Sequence, residues 1–299
     1  MSTPPVVVAV DGSEGSLRAL DWALAEAQLR TAPLRLVHVR PEAMWSRAVA
    51  PDDITEPTED QVLARVLGSL ADRPHLPAVD SRSLVGNPGA LLPEEGRSAQ
   101  LLVLGSRGRG GFASLLLGSN GMAAARDAPC PVVVVPRPGR KVPGAGPVPP
   151  GPRVVVGVSA EKPDDDVLSF AWAEAGRHAA RLDVVCAYPW PGYVWGDISG
   201  FAPTAEDQEA AQAAVADQLD EILDGHRAAH PEVDVVPRVL PGDAAGHLVT
   251  ASQDALLVVV GRHRRSLLHP ARLLGSVTHA VLLHAACPVA VVPTAGRTT

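Results

Sequence analysis

Short apolar runs alternate with amphipathic stretches along this chain. Val6-Val-Val-Ala-Val10, Leu34-Arg-Leu-Val-His-Val39 and Leu101-Leu-Val-Leu-Gly105 are bounded by turn residues and show little period-2 alternation. Such runs suit strands buried on both faces, as in a parallel sheet. Between them the period lengthens. After Asp11-Gly12, Ser13 is placed to cap a helix whose apolar positions are Leu17, Leu20, Trp22, Leu24 and Ala27. The pattern predicts a second helix from about Thr58 to Leu70 and a third from Ala90 to about Ser98. Strand–helix alternation with crossovers of this length implies right-handed connections and a doubly wound sheet.

The pattern is written twice. Val154-Val-Val-Gly-Val158 echoes Val6–Val10, and Leu182-Asp-Val-Val-Cys-Ala187 echoes Leu34–Val39. Pro241-Gly242-Asp243-Ala244 echoes Val85-Gly86-Asn87-Pro88, and Leu257–Gly261 echoes Leu101–Gly105. Cys287-Pro-Val-Ala-Val-Val-Pro293 closes the second copy as Cys130-Pro-Val-Val-Val-Val-Pro136 closes the first. Collinear matches at a nearly constant offset mark a duplication. The stretch between the copies is dense in Pro and Gly and reads as a linker. The expected architecture is therefore α/β: two tandem doubly wound, Rossmann-like domains of five parallel strands each, over 1–137 and 153–299. The linker falls at 138–152, and the two copies are expected to pair as a pseudo-dimer.

Composition narrows the function. Hydrophobic residues make up 46% of the 299 and charged residues 20%, a globular balance. The formal charge of −7 is spread without a basic block, which argues against nucleic acid as a partner. No apolar run approaches the roughly 20 residues of a membrane span. The start MSTPPVVVAVDGS lacks the basic region of a signal peptide. Three cysteines without CxxC spacing suggest neither a disulfide framework nor a zinc site, so a reducing cytoplasm is expected.

In open α/β sheets ligands bind beyond the carboxyl ends of the strands, where strand order reverses. Asp11 follows the first strand, and a glycine-rich segment, Gly105-Ser-Arg107-Gly108-Arg-Gly-Gly-Phe-Ala-Ser-Leu-Leu-Leu-Gly118-Ser119, follows the fourth. Glycines there allow backbone N–H groups to turn toward a phosphate. Gly118-Ser119 opens a further helix, whose N-terminal dipole favours anions. Asp11 suits a ribose hydroxyl or a metal-bound phosphate. The segment is not a Walker A loop, because no Gly-Lys-Ser/Thr occurs, and it follows the wrong strand for a dinucleotide fingerprint.

Gly105-x2-Gly108-x9-Gly118-Ser119 resembles the G-x2-G-x9-G-[S/T] signature of ATP-binding universal stress proteins, and Val-Ala-Val-Asp11-Gly-Ser, the Leu-Val-His-Val39 strand and the Cys-Pro-Val-Val-Val-Val-Pro ending are similar to the same family. The resemblance spans nearly the whole chain apart from the linker. It implies ATP as the ligand, with Mg²⁺, held through Gly105, Arg107, Gly108, Gly118, Ser119 and Asn120 at the phosphates. Asp11 and Gly12 would lie near ribose and phosphates, the Val39 backbone and Gly86 around the rest of the nucleotide. It also implies a homodimer or an intramolecular pseudo-dimer, and a regulatory role in stress with little or no turnover. A nucleotide-free scaffold that binds protein partners and an adenylyl-transferring enzyme are the alternatives.

The second copy departs from the signature. Ser159 replaces Asp11, and Arg264 stands where Gly108 does, within Gly261-Arg-His-Arg-Arg265. Gly275, Ser276 and Val277 keep the helix opening. Two readings stay open: a degenerate pseudo-site, or a site that meets phosphate through its arginines. Plainer roles are also expected. His38 packs within or beside the sheet, Cys130 and Cys287 are structural, and Asp164–Asp166 start a helix. The aromatic loop Pro189–Trp195 packs on its own domain.

Overall fold

The computed structural model describes residues 3–41, 60–108, 117–140, 142, 151–189, 204–262 and 274–294. The chain forms two compact units, Met1–Val135 and Pro136–Thr299. The first contains β1 (Val6–Ala9), α1 (Glu14–Leu29), β2 (Leu34–Arg40), α2 (Gln61–Leu70), β3 (Val79–Val85), α3 (Pro88–Glu95), β4 (Leu101–Gly105), α4 (Ser119–Asp127) and β5 (Val132–Val135). The second contains β6 (Arg153–Val158), α5 (Asp165–Arg177), β7 (Arg181–Tyr188), α6 (Ala205–Ala229), β8 (Val235–Pro241), α7 (Ala244–Ala251), β9 (Leu257–Gly261), α8 (Ser276–His284) and β10 (Val289–Val292). Each unit is a parallel sheet, ordered β3-β2-β1-β4-β5 in the first and β8-β7-β6-β9-β10 in the second. The expected five strands per copy are present, and strand order reverses between β1 and β4, and between β6 and β9.

Burial follows from that order. The central strands β1 and β4 have helices on both faces, so Val6, Val7, Val8, Leu101, Leu102 and Val103 are fully shielded. That explains why they read as unbroken apolar runs. The edge strand β3 carries Asp80, Ser81, Arg82 and Ser83, all exposed, and the edge strand β8 carries Pro237. Both devices blunt an open edge.

Helix starts follow local capping chemistry. Ser13 caps α1 by accepting from the Ser16 N–H at 3.2 Å, and Asp164 caps α5 by accepting from the Val167 N–H at 3.4 Å. On α1 the buried stripe is Ala19, Leu20, Ala23, Leu24 and Ala27. Leu17 falls on the flank of that stripe and is 39% exposed, so it is not the core residue its apolar character suggests. The third helix begins two residues earlier than expected, at Pro88, because Asn87 caps it through the Gly89 N–H at 2.9 Å. Its end tightens into a 3₁₀ turn, Gly96–Ser98. Residues 58 and 59, the expected start of the second helix, and the loop from Trp190 lie outside the described residues.

Asp60 organises the first unit beside β2. Its carboxylate caps α2 through the Val62 and Leu63 N–H groups and also accepts from the Ser83 hydroxyl at 2.6 Å. Its other close partner is His38 Nδ1, at 2.7 Å. His38 thus lies on the sheet, at a polar hub. Burial pushes the Asp60 carboxyl up, but the hydrogen bonds from Ser83, His38 and Leu63 outweigh it and hold the group below the usual aspartate range.

The two units handle sheet-face charge differently. In the first, Arg35 grips Asp80 in a two-pronged pair (Nε–Oδ1 2.9 Å, Nη2–Oδ2 2.7 Å), and Arg82 reaches Glu95 at 3.1 Å. In the second, the place of Arg35 is taken by Asp183, which is 0% exposed. It meets Arg181 Nε at 2.7 Å, Arg238 Nη2 at 3.3 Å and Arg153 Nη1 at 3.5 Å. The acid has moved from the neighbouring strand and helix onto β7, and three guanidinium groups depend on it.

Two outcomes follow. Asp183→Ala strands buried guanidinium charge and lowers the stability of the second unit by about 3–5 kcal/mol in urea unfolding; a loss below about 1 kcal/mol would show that the cluster is not a core tie. A carboxyl depressed in the fold contributes stability above its unfolded value of about 4, and that contribution is lost as pH falls through the folded value. Asp60→Asn therefore flattens the decline in first-unit stability below pH about 4, and an unchanged pH slope in that variant would remove Asp60 from the account.

Candidate functional site

The β1–β4 switch point is built by close backbone approach. Gly105 ends β4 and Gly15 lies in the first turn of α1. A Cβ on Gly105 would overlap the Gly15 carbonyl, and a Cβ on Gly15 would overlap the Arg107 carbonyl. Only two glycines allow the helix and the strand end to meet so closely. The Ser13 hydroxyl, which caps α1, also donates toward the Arg107 carbonyl at 3.5 Å.

Asp11 lies two residues beyond β1. Its Oδ1 accepts from the Ser13 N–H at 2.9 Å, and its own N–H donates to the Ser16 hydroxyl at 3.3 Å. Gly12 supplies the turn between them with a φ of 77°, a left-handed conformation that favours glycine. A Cβ on Gly108 would overlap Asp11 Oδ2. The glycine-rich loop therefore passes directly over the carboxylate, which is half-buried beneath it.

The loop leaves and returns at one point. Ser106, 3% exposed, donates its N–H to the Val135 carbonyl at 2.8 Å and accepts at its own carbonyl from the Gly118 N–H at 2.9 Å. Gly118 is the N-cap of α4, and no side chain among the described residues caps that helix. The first-turn N–H groups of Ser119, Asn120 and Gly121 have no partner within the helix, and Ser119 and Asn120 are exposed. Residues 109–116, the tip of the loop, lie outside the described residues.

The remaining predicted residues spread along the same edge of the sheet. Val39 is buried on β2, in register with Leu84 of β3. Gly86 follows β3 with a φ of 143°, and its N–H donates to the Arg40 carbonyl at 2.9 Å, which ties the ends of β2 and β3 together. Asn120 faces the start of α3, since a Cβ on Gly89 would lie 3.7 Å from its Oδ1. Asp11, Gly105, Arg107, Gly108 and Gly118 thus converge on one spot, while Val39 and Gly86 stand on the flanking strands. Gly15, Ser13, Ser16 and Ser106 belong to the same group. A glycine in the first turn of an otherwise alanine-rich helix, where it costs helix stability, was the available signal for Gly15.

In the second unit Ser159 follows β6, and its hydroxyl accepts from the Lys162 N–H at 3.3 Å. Pro163 stands in the place of Gly15, and α5 begins only at Asp165, six residues after Ser159, whereas α1 begins three after Asp11. Gly261 ends β9, and its carbonyl accepts from the Thr278 hydroxyl at 2.7 Å. Gly275 caps α8, with Ser276 and Val277 in the first turn. Arg264 lies outside the described residues.

Known proteins resemble this chain over nearly all of its length. The family model described as the universal stress protein family matches residues 3–136 and again 152–293. A universal stress protein of Mycobacterium tuberculosis is 33% identical over 296 residues, covering 96% of each chain. One of Mycolicibacterium smegmatis is 31% identical over 295 residues, again covering 96% of each. Among solved structures, a universal stress protein from Archaeoglobus fulgidus superposes with a TM-score of 0.59 at 15% identity, over 97% of this chain and 98% of that one. A Pseudomonas aeruginosa protein of unknown function superposes with a TM-score of 0.61 at 16% identity, over 97% and 92%. These two likenesses establish the fold alone.

The glycine contacts separate packing from ligand roles. Gly105→Ala drives a methyl into the Gly15 backbone and lowers first-unit stability by about 1–3 kcal/mol. Gly118→Ala, whose Cβ would find its nearest atom, the Ser106 carbonyl oxygen, at 3.7 Å, costs less than about 1 kcal/mol. Urea unfolding of both variants measures the difference, and equal stabilities would contradict the close approach of β4 and α1.

Proposed function

This chain belongs to the universal stress protein family, and we propose that its first unit binds ATP and uses that occupancy to regulate its conformation or its choice of partner. One observation carries the reading: a carboxylate, a glycine loop passing directly over it, and an open helix N-terminus converge where the strand order reverses. A nucleotide can use all three at once. Backbone N–H groups at Ser119 to Gly121 and the positive end of α4 suit phosphate oxygens. The bare Cα of Gly108 lets the loop approach closely, and Asp11 stands where a ribose hydroxyl or a phosphate-bound cation would lie. Val39 and Gly86 border the flank where the base would rest.

The donor set also suits magnesium in its usual mode with nucleotides. Asp11 is the single carboxylate of the group among the described residues, and its Oδ1 already accepts from the Ser13 N–H. A small cation that keeps several waters and leans on phosphates needs no more than one such oxygen, directly or through water. Magnesium would neutralise phosphate charge there. Asp11 would orient it, Ser13 would hold Asp11, and the α4 amides would hold the phosphates.

Nothing in the group supports rapid chemistry. The residues named above as converging on Asp11 include no histidine and no second carboxylate. Hydrolysis, if any, is expected well below the usual enzyme range of roughly 1 per second and above.

Ligand that binds only the folded state raises stability by mass action, by about 2.7 kcal/mol at a hundredfold excess over Kd. Millimolar Mg-ATP is therefore expected to raise the melting temperature of the wild type and to leave that of Asp11→Asn nearly unmoved. The amide keeps the acceptor for Ser13 but loses the charge. A wild type unmoved by millimolar Mg-ATP would overturn the reading.

A further inference from the structure

We infer that the chain carries one nucleotide site, in its first unit, and that the second unit has filled the equivalent crevice with its own side chains. The inference rests on the ATP reading of the first unit. It concerns the other half of the chain.

Five substitutions at corresponding positions, in four places, act in the same direction. First, the carboxylate is gone: Ser159 replaces Asp11, and its hydroxyl is occupied by the Lys162 N–H at 3.3 Å within its own turn. Second, the helix start is withdrawn. With Pro163 in place of Gly15 and Asp164 as cap, α5 cannot supply the early turn that α1 lays against β4. Instead a branched side chain enters, and a Cβ on Gly261 would meet Val167 Cγ2 at 3.0 Å. Backbone meets backbone in the first unit. In the second, a side chain fills the gap.

Third, the side chains of the phosphate end differ, although Gly275 leaves α8 without a side-chain cap as Gly118 leaves α4. The first turn of α4 reads Ser119-Asn120-Gly121, and that of α8 reads Ser276-Val277-Thr278. Thr278, 5% exposed, occupies the place of Gly121 and donates its hydroxyl to the Gly261 carbonyl at 2.7 Å. The threonine pins the helix end onto the strand end. Val277 removes the amide that Asn120 offers in the first unit.

Fourth, the turn after β6 is tied down from above. Ala160, in the place of Gly12 and 9% exposed, has its carbonyl bound by Gln218 Nε2 of α6 at 2.9 Å. The Gly12 turn of the first unit takes a left-handed φ of 77°. Ala160 would be strained in that conformation and is held in another by a neighbouring helix. The carbonyls of Ala160 and Gly261 are thus both bound by side chains of the second unit's own helices.

The test is the stoichiometry and location of bound nucleotide on the full chain. Isothermal titration with Mg-ATP is expected to give one site per chain, abolished by Asp11→Asn, a variant whose fold is checked by its circular dichroism melt. Photolabelling with 8-azido-ATP is expected to mark peptides within 1–137 only. Two sites per chain, or label within 153–299 that persists in Asp11→Asn, would overturn the inference and leave the ATP reading standing. Absence of any binding by the wild type would instead overturn that reading, and this inference with it.

Discussion

The contact between Gly105 at the end of β4 and Gly15 in the first turn of α1 sets the geometry of the first unit's upper edge. Helices on a parallel sheet normally stand off by the length of their side chains. Here the helix and the strand end approach through two residues without side chains. The Arg107 carbonyl is thereby placed beside Ser13 and the bare Cα of Gly108 beside Asp11. The constraint is steric: a methyl at either position would push helix and strand apart, and the loop would lose its seat over the carboxylate.

That constraint explains how the two units share a fold while their switch points differ. The sheet needs only buried apolar strands in the right order, and both copies supply them. The switch-point geometry needs glycines at particular positions, and the second copy keeps Gly261 and Gly275 but has Ala160, Pro163 and Thr278 in the places of Gly12, Gly15 and Gly121. Pro163, Thr278 and Val167 are compatible with the same strand order and the same helices. They do not reproduce the backbone approach that Gly15 and Gly105 make in the first unit.

Charge placement shows the same independence. The first unit balances Arg35 and Arg82 with Asp80 and Glu95, on a neighbouring strand and a helix. The second balances Arg153, Arg181 and Arg238 around the single buried Asp183. Each arrangement satisfies the same sheet face with different partners. A buried ion pair is costly to break and carries little information about function.

The sequence by itself determined the duplication, the strand-and-helix alternation and the position of the glycine signature after the fourth strand. Each of these is local or periodic: apolar runs between turn residues, caps such as Ser13 and Asp164, and matches at a constant offset. The departures of Ser159 and Arg264 were equally legible. What only the tertiary structure decided was which residues meet. Leu17 belongs to an apolar pattern yet lies on the flank of its helix, and His38 finds Asp60 across 22 residues of chain. Gly15 is an unremarked helix glycine until β4 is laid against it. Gln218 and Thr278 give no sign in the chain that they bind the carbonyls of Ala160 and Gly261. Periodicity reports the average environment of a face, whereas a site depends on distances between residues far apart in sequence, and those are set only when the layers pack.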